Sequence, residues 1–272
     1  MTELLHNSFG DPIGSFSVAE FGCGTGRVTQ ALAPYARRLV LADYSPTMIE
    51  AVTTKFPDAE TLCADTRGAV EHLHMQGWDG GFEVVAAFWS LSYPLGEFFE
   101  TLSANGIEPC ADLGQARVEA MRFLRRLVRL VAPGGHLLAL FFDADTREQR
   151  LVTRQWERIA PFPEGGRGYT RDLLVTGLRD AEDAGLGTLT HTRRGGAAWA
   201  PSRETALAWL QVVHLKSHPA LIGDSRVREE LSAFVDRYVQ PDGSVHLPSG
   251  AHVIDFHRSS HPICHVPLGS RP

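Results

Sequence analysis

The chain has 272 residues, 43% of them hydrophobic and 21% charged, which is room for one large α/β domain or for one domain with an appendage and excludes a disordered or fibrous chain. Its net charge of −6, with no Lys/Arg block interleaved with aromatics, gives little grip on a phosphate backbone, so no nucleic-acid partner is expected. No basic leader and no apolar stretch of the ~20 residues that a bilayer span needs are found, which predicts a cytoplasmic protein without a membrane partner.

Over the first two thirds, short apolar runs alternate with amphipathic stretches, the pattern of a parallel sheet covered on both faces. Strands are predicted over residues 17–21, 39–42, 61–64, 84–88 and 136–142, with a helical run over 27–33 after the first. Residues 94–115 read as irregular and interrupt the order after the fourth strand, where open α/β sheets place their ligand crevice. The clearest helix covers 118–131: Val118, Met121, Leu124, Leu127, Val128 and Val131 make an apolar stripe, with Arg122, Arg125, Arg126 and Arg129 off it. Ala132-Pro133-Gly134-Gly135 ends it. Beyond residue 151 the pattern loosens, though 186–191 and 253–257 still read as strands. Between them Ser202 caps a predicted helix running through Leu207, Leu210 and Val213, and 226–239 makes a second. The cysteines Cys23, Cys63, Cys110 and Cys264 are scattered with no Cys-x-x-Cys pair, so buried free thiols are expected.

The chemistry concentrates in Glu20-Phe21-Gly22-Cys23-Gly24-Thr25-Gly26, which follows the first strand. Its glycines stand at 22, 24 and 26, whereas a dinucleotide fingerprint would need one at 27, and position 27 is Arg. That argues against a nicotinamide dehydrogenase. Glycine serves where the chain turns sharply and its backbone approaches a ligand without a Cβ in the way. Glu20 beside the loop would repel a pyrophosphate but suits a ligand bearing an ammonium and a sulfonium. The second strand ends in Asp43, 17 residues after Gly26, placed to accept from both hydroxyls of a ribose. Asp65 follows the third strand, where it can accept from an adenine amine while Thr66 offers a backbone donor. The competing reading of each acid is a helix cap or turn residue.

These segments, with Asp43-Tyr44-Ser45-Pro46 and Met48, Ala64-Asp65, the strand 82–88 and Leu130-Val131-Ala132-Pro133-Gly134-Gly135, resemble the class I S-adenosylmethionine (SAM)-dependent methyltransferases. The likeness is to the small-molecule type of bacterial metabolism, over about residues 17–142. It implies a Rossmann-like αβα sandwich with a mostly parallel seven-stranded sheet and SAM as cofactor. Residues 1–150 would be the SAM-binding core. Residues 151–272 would supply the last two strands, with a helical substrate cap inserted at about 200–240. By the resemblance, Gly22, Cys23, Gly24 and Gly26 line the methionine part, with Glu20 beside them. Asp43 holds the ribose, Tyr44 and Met48 flank the adenine, and Asp65 with Thr66 meets its amine. The resemblance would also imply a helix or two before the first strand, packing over the cofactor, and only about 16 residues of this sequence precede that strand.

The expected reaction passes a methyl group to an O or N atom of a small-molecule acceptor. Phe88, at the end of the fourth strand, is expected against SAM, and Trp89 and Tyr93 against the acceptor, with aromatic core packing as their alternative. His214 and His218, four apart, supply an acceptor-binding group or base, or are ordinary solvated histidines; Tyr93 and His214 are the catalytic candidates. The run His257 to His265 is interrupted by Pro262 and reads as a strand end and tail, not a metal site. A monomer or homodimer is expected. Two alternatives remain at this stage: a SAM-binding protein of the same fold that catalyses a cyclisation or rearrangement without methylation, and one that supports a partner methyltransferase.

Overall fold

The computed structural model describes residues 13–103, 106–162, 166–215 and 219–260. Seven strands make one sheet: β1 (Phe16–Phe21), β2 (Ala36–Asp43), β3 (Glu60–Cys63), β4 (Phe82–Phe88), β7 (Val131–Phe142), β8 (Gly187–Ala200) and β9 (Val245–Arg258), in the order β3-β2-β1-β4-β7-β9-β8. All neighbours from β3 to β7 run parallel, and β9 lies antiparallel between β7 and β8. This is the Rossmann-like αβα architecture that the alternation of elements predicts.

The central strands are apolar on both faces because helices cover both. Along β4, Val85 and Ala87 pack into one core with Phe21, Leu124 and Leu127. Val84, Ala86 and Phe88 pack into the other with Val18 and Leu41. Side chains alternate across a pleated strand, so two cores require two apolar sets. The strongest helix, Leu113–Leu130, starts where Asp112 accepts the Gln115 N–H at 2.9 Å and buries Ala116, Ala120, Phe123, Leu124 and Leu127 on one stripe.

Several elements differ from the sequence reading. The helix after the glycine loop is only Thr29–Leu32 and tightens into a 3-10 turn at Ala33–Tyr35, because Pro34 has no N–H with which to continue it. The irregular stretch holds a short helix, Ser92–Gly96, and a hairpin, β5 (Glu100–Ser103) with β6 (Gly106–Pro109), which pairs with itself outside the main sheet. Strand β8 runs well past 191 through Gly195-Gly196-Ala197-Ala198, an exposed stretch without alternation that the ladder to β9 holds extended. Between β8 and β9 lie helices Arg203–Trp209, Pro219–Gly223 and Ser225–Asp236; Ser202 and Asp224 cap the first and last. The first passes into a π-helical turn, Leu210–His214, and is not one continuous α-helix. Among the described residues no helix is long and apolar enough to cross a membrane, and no group of three His, Cys, Asp or Glu is placed to hold a metal ion.

Candidate active site

Strand β1 pairs with β2 on one side and β4 on the other, so the chain order reverses at β1 and leaves a crevice at the carboxyl ends of these strands. The glycine loop sits there. Gly22, Gly24 and Gly26 all adopt positive φ, a region L side chains avoid. Two of them are also needed for packing: a Cβ on Gly22 would stand 2.3 Å from Ser90 Cβ, and one on Gly26 would stand 2.7 Å from Phe56 Cε2. Ser90 ties β4 to the loop by donating its hydroxyl to Phe21 O at 2.6 Å. Gly24 alone faces open space, with no atom within 4 Å of where its Cβ would be.

Beside that open face stand two buried carboxyls. Asp43 is 8% exposed, and its two oxygens accept separately, Oδ2 from Gly24 N–H and Oδ1 from Ser45 N–H, both at 2.9 Å. A carboxylate has about four acceptor positions, so Asp43 is fixed in direction with lone pairs to spare for a vicinal diol. Glu20 accepts from Thr29 Oγ1 at 2.6 Å, and burial pushes its carboxyl up from 4.5 to about 7 despite that bond. Burial, reinforced by Glu20 and then Asp43, pushes the Cys23 thiol up to about 12. The loop is therefore a low-dielectric, electronegative place that suits a cationic ligand carrying a diol.

The other expected cofactor residues surround this centre. Asp65 is exposed and caps the helix Thr66–Met75, its Oδ1 accepting Gly68 N–H at 2.7 Å, so the capping reading of this acid holds geometrically and leaves Oδ2 open. Tyr44 is exposed, Met48 lies partly buried on the helix Pro46–Lys55, and Phe88 is buried at the end of β4. Lys55, which sequence reasoning missed, donates from Nζ to Thr25 O at 2.6 Å and braces the loop from outside. No spacing announces it: the return of this helix beneath the loop brings it there.

Past β4 the backbone is strained. Trp89 has φ +56°, the single non-glycine residue with positive φ among the described residues; its N–H donates to Leu140 O at 2.9 Å. Its indole Nε1 is buried without a partner, and its ring packs 6.0 Å from Phe142. Strain and an orphaned buried donor in one residue make Trp89 a candidate functional position. Trp89 does not line the neighbouring cavity of ≈ 440 Å³; Tyr93 and His214 do, with Trp156, Phe162, Glu100 and Arg167. Tyr93 is 57% exposed. His214 is buried, with Nε2 3.1 Å from Glu148 Oε1, and its carbonyl accepts from Trp156 Nε1 at 2.8 Å. The His214 and Glu148 groups are within ion-pair distance but out of line for a hydrogen bond, and Glu148 Oε2 is buried without a partner. Gln149 Nε2 holds Glu148 Oε1 at 2.7 Å. His218 lies outside the described residues, as do His261 and His265; His257 stacks on His136 with ring centroids 4.5 Å apart.

The cavity residues Glu100, Trp156 and Arg167, and Glu148 beside His214, were not legible in the sequence. Their segments carry no motif, and only folding of the β5 hairpin and the helix Arg147–Trp156 against the His214 turn gathers them. Burial pushes the Glu100 carboxyl up to about 7, against the hydrogen bond from Tyr169 and the charge of Arg167.

Residues 18–104 match a family model described as a methyltransferase domain. No curated protein matches the chain by sequence. Among solved structures, the YcgJ protein of Bacillus subtilis superposes with a TM-score of 0.52 at 11% identity, covering 96% of this chain and 98% of that one. A candidate methyltransferase from Bacillus halodurans superposes with a TM-score of 0.50 at 16% identity, covering 95% and 98%. Identities this low establish the fold alone; the segment that matches the methyltransferase domain spans the glycine loop, Asp43 and β4. Residues 18–104 are thus similar to a methyltransferase domain, and the seven-stranded sheet around them has the Rossmann-like order of that fold.

Proposed function

We propose that the protein transfers the methyl group of SAM to an oxygen or nitrogen atom of a small molecule bound in the Tyr93–His214 cavity. The observation that carries this reading is Asp43, both oxygens fixed by backbone N–H groups, beside the open face of Gly24 at the point where the strand order reverses. Such a carboxylate is oriented before any ligand arrives, which lowers the cost of binding a diol. Asp43 would hold the ribose hydroxyls and the Gly22–Gly26 loop the methionine part, with Glu20 beneath it. Tyr44 and Met48 would flank the adenine, Asp65 and Thr66 would meet its amine, and Phe88 would close the inner side. SAM supplies an electrophilic methyl on sulfur, open to in-line displacement.

The protein's task is then to position the acceptor and to receive its proton. His214 is the group we assign to the proton. Glu148, 3.1 Å from Nε2 and fully buried, would stabilise the imidazolium that forms, and a small rotation would bring the pair into hydrogen-bond alignment. Tyr93, Trp156 and Phe162 give the cavity flat apolar walls for an acceptor, and Val213 and His214 of the π-helical turn between β8 and β9 complete its lining. The strained Trp89 sits between the loop side and Phe142, where it would orient rather than hold the acceptor.

The test is calorimetric titration of the full chain with SAM and, separately, with NADH, repeated on Asp43→Ala, followed by a screen of acceptors for release of S-adenosylhomocysteine. Saturable SAM binding that Asp43→Ala weakens by about a hundredfold is expected, on the scale of two lost hydrogen bonds to a charged group. Absence of SAM binding by the intact protein would sink the reading.

A further inference from the structure

The Tyr93–His214 cavity has a neighbour. A second cavity of ≈ 520 Å³ lies on the other side of a wall made by Arg167 and Tyr169, the two residues that line both. In a chain of net charge −6, this second cavity gathers Arg117, Arg150, Arg154, Arg167 and Arg171 beside Asp145, Glu157 and Asp172. Arg171 is engaged by Asp172 and His252. Arg150 and Arg154, one turn apart on the helix Arg147–Trp156, face no carboxylate within ion-pair distance among the described residues. Five guanidiniums against three carboxylates leave the cavity with an excess of positive charge in an acidic protein.

Arg167 is the sharper case. Its one hydrogen bond among the described residues is a long one, Nη1 to Gln149 Oε1 at 3.4 Å, and its guanidinium lies 5.9 Å over the Trp156 ring. Among the described residues no carboxylate comes within ion-pair distance of it, whereas Arg67 on the same cavity pairs with Glu97 at 2.9 Å. Burial pushes the Arg167 pKa down, and Tyr93, Glu148 and Glu100 offset this only through space. A half-buried guanidinium in a cavity wall with one long hydrogen bond has donors to spare, and its fork matches carboxylate and phosphate oxygens bidentately.

We propose that the small molecule this protein acts on carries an oxyanion, and that Arg167 binds it at the wall between the two cavities. This rests on the Tyr93–His214 cavity being the acceptor site of a methyltransferase. The apolar part of the molecule then lies against Tyr93 and Trp156 with its reacting atom toward His214, and the oxyanion points to Arg167. A carboxylate is satisfied by Arg167 alone; a phosphate, with more charge, also draws on Arg150 and Arg154 across the wall.

The test uses the full chain with S-adenosylhomocysteine present and three matched probes, benzoate, phenyl phosphate and neutral benzamide, followed by ligand-observed NMR. Benzoate or phenyl phosphate is expected to bind at least about tenfold more tightly than benzamide. Arg167→Gln should abolish that preference while SAM titrates as in the wild type. Loss of phenyl phosphate binding, but not of benzoate binding, in Arg150→Gln/Arg154→Gln identifies phosphate as the source, and equal binding of benzoate in both proteins with no preference for phosphate identifies carboxylate. Equal affinity for benzoate and benzamide in the wild type overturns the proposal, as does no saturable anion binding up to tens of millimolar or a preference that survives Arg167→Gln. The wild-type comparison decides the matter should Arg167→Gln fail to fold. Failure of SAM to bind while the anion preference persists would remove the methyltransferase reading and leave the oxyanion site standing.

Discussion

Replacing Glu20 by glutamine isolates the cost of holding an acid in the floor of the cofactor site. The glutamine retains a carbonyl oxygen to accept from Thr29 Oγ1, so the 2.6 Å hydrogen bond has a successor and the change removes mainly a titrating proton. In the folded protein this carboxyl is pushed from 4.5 to about 7, so the native state binds its proton more tightly than the unfolded chain does. Stability is therefore greatest below the ordinary value, falls as pH rises from there to about 7, and is level above it. The rise from 4.5 to about 7 integrates to about 3 kcal/mol by linkage. Urea unfolding without ligand should find Glu20→Gln more stable than the wild type by about 3 kcal/mol near pH 8, shrinking to under ~0.5 kcal/mol near pH 4.5. SAM affinity should fall in the same variant, since a carboxylate kept at this cost is useful against a cation. A glutamine variant no more stable at high pH, or one whose advantage does not change with pH, would refute the reasoning.

His214→Asn should lower kcat for a productive acceptor by about 10²–10⁴-fold while leaving SAM binding intact, and Glu148→Gln should do the same to a lesser degree; an unchanged kcat would remove the proton role. Gly22→Ala should destabilise the fold by about 2 kcal/mol or more, because its Cβ would stand 2.3 Å from Ser90 Cβ at φ +72°. Adding Ser90→Gly should recover the steric part only, and thermal unfolding of the three proteins separates the terms.

Legibility in the sequence followed the range of the interactions. The alternation of apolar runs with an amphipathic helix such as 118–131 is local physics, and it located all seven strands of the main sheet. The glycines at 22, 24 and 26 and the acids at 20, 43 and 65 were legible because turn chemistry and strand ends are fixed within a few residues. What the pattern missed were features held by distant partners: the β5–β6 hairpin, the second half of β8, and the π-turn that ends at His214.

The sequence by itself determined the sheet, the crevice where β1 and β4 part, and the donors and acceptors that stand at its edge. Hydrophobic period and backbone sterics act along the chain, and they leave their mark in residue order. Only the tertiary structure decided that Glu148 stands behind His214, that Gly22 and Gly26 are required for packing as well as for turning, and that Arg167 lines the wall between two cavities. These depend on which surfaces meet after hydrophobic burial has brought distant segments together. Burial is non-directional, and it leaves no spacing in the sequence from which such a meeting can be read.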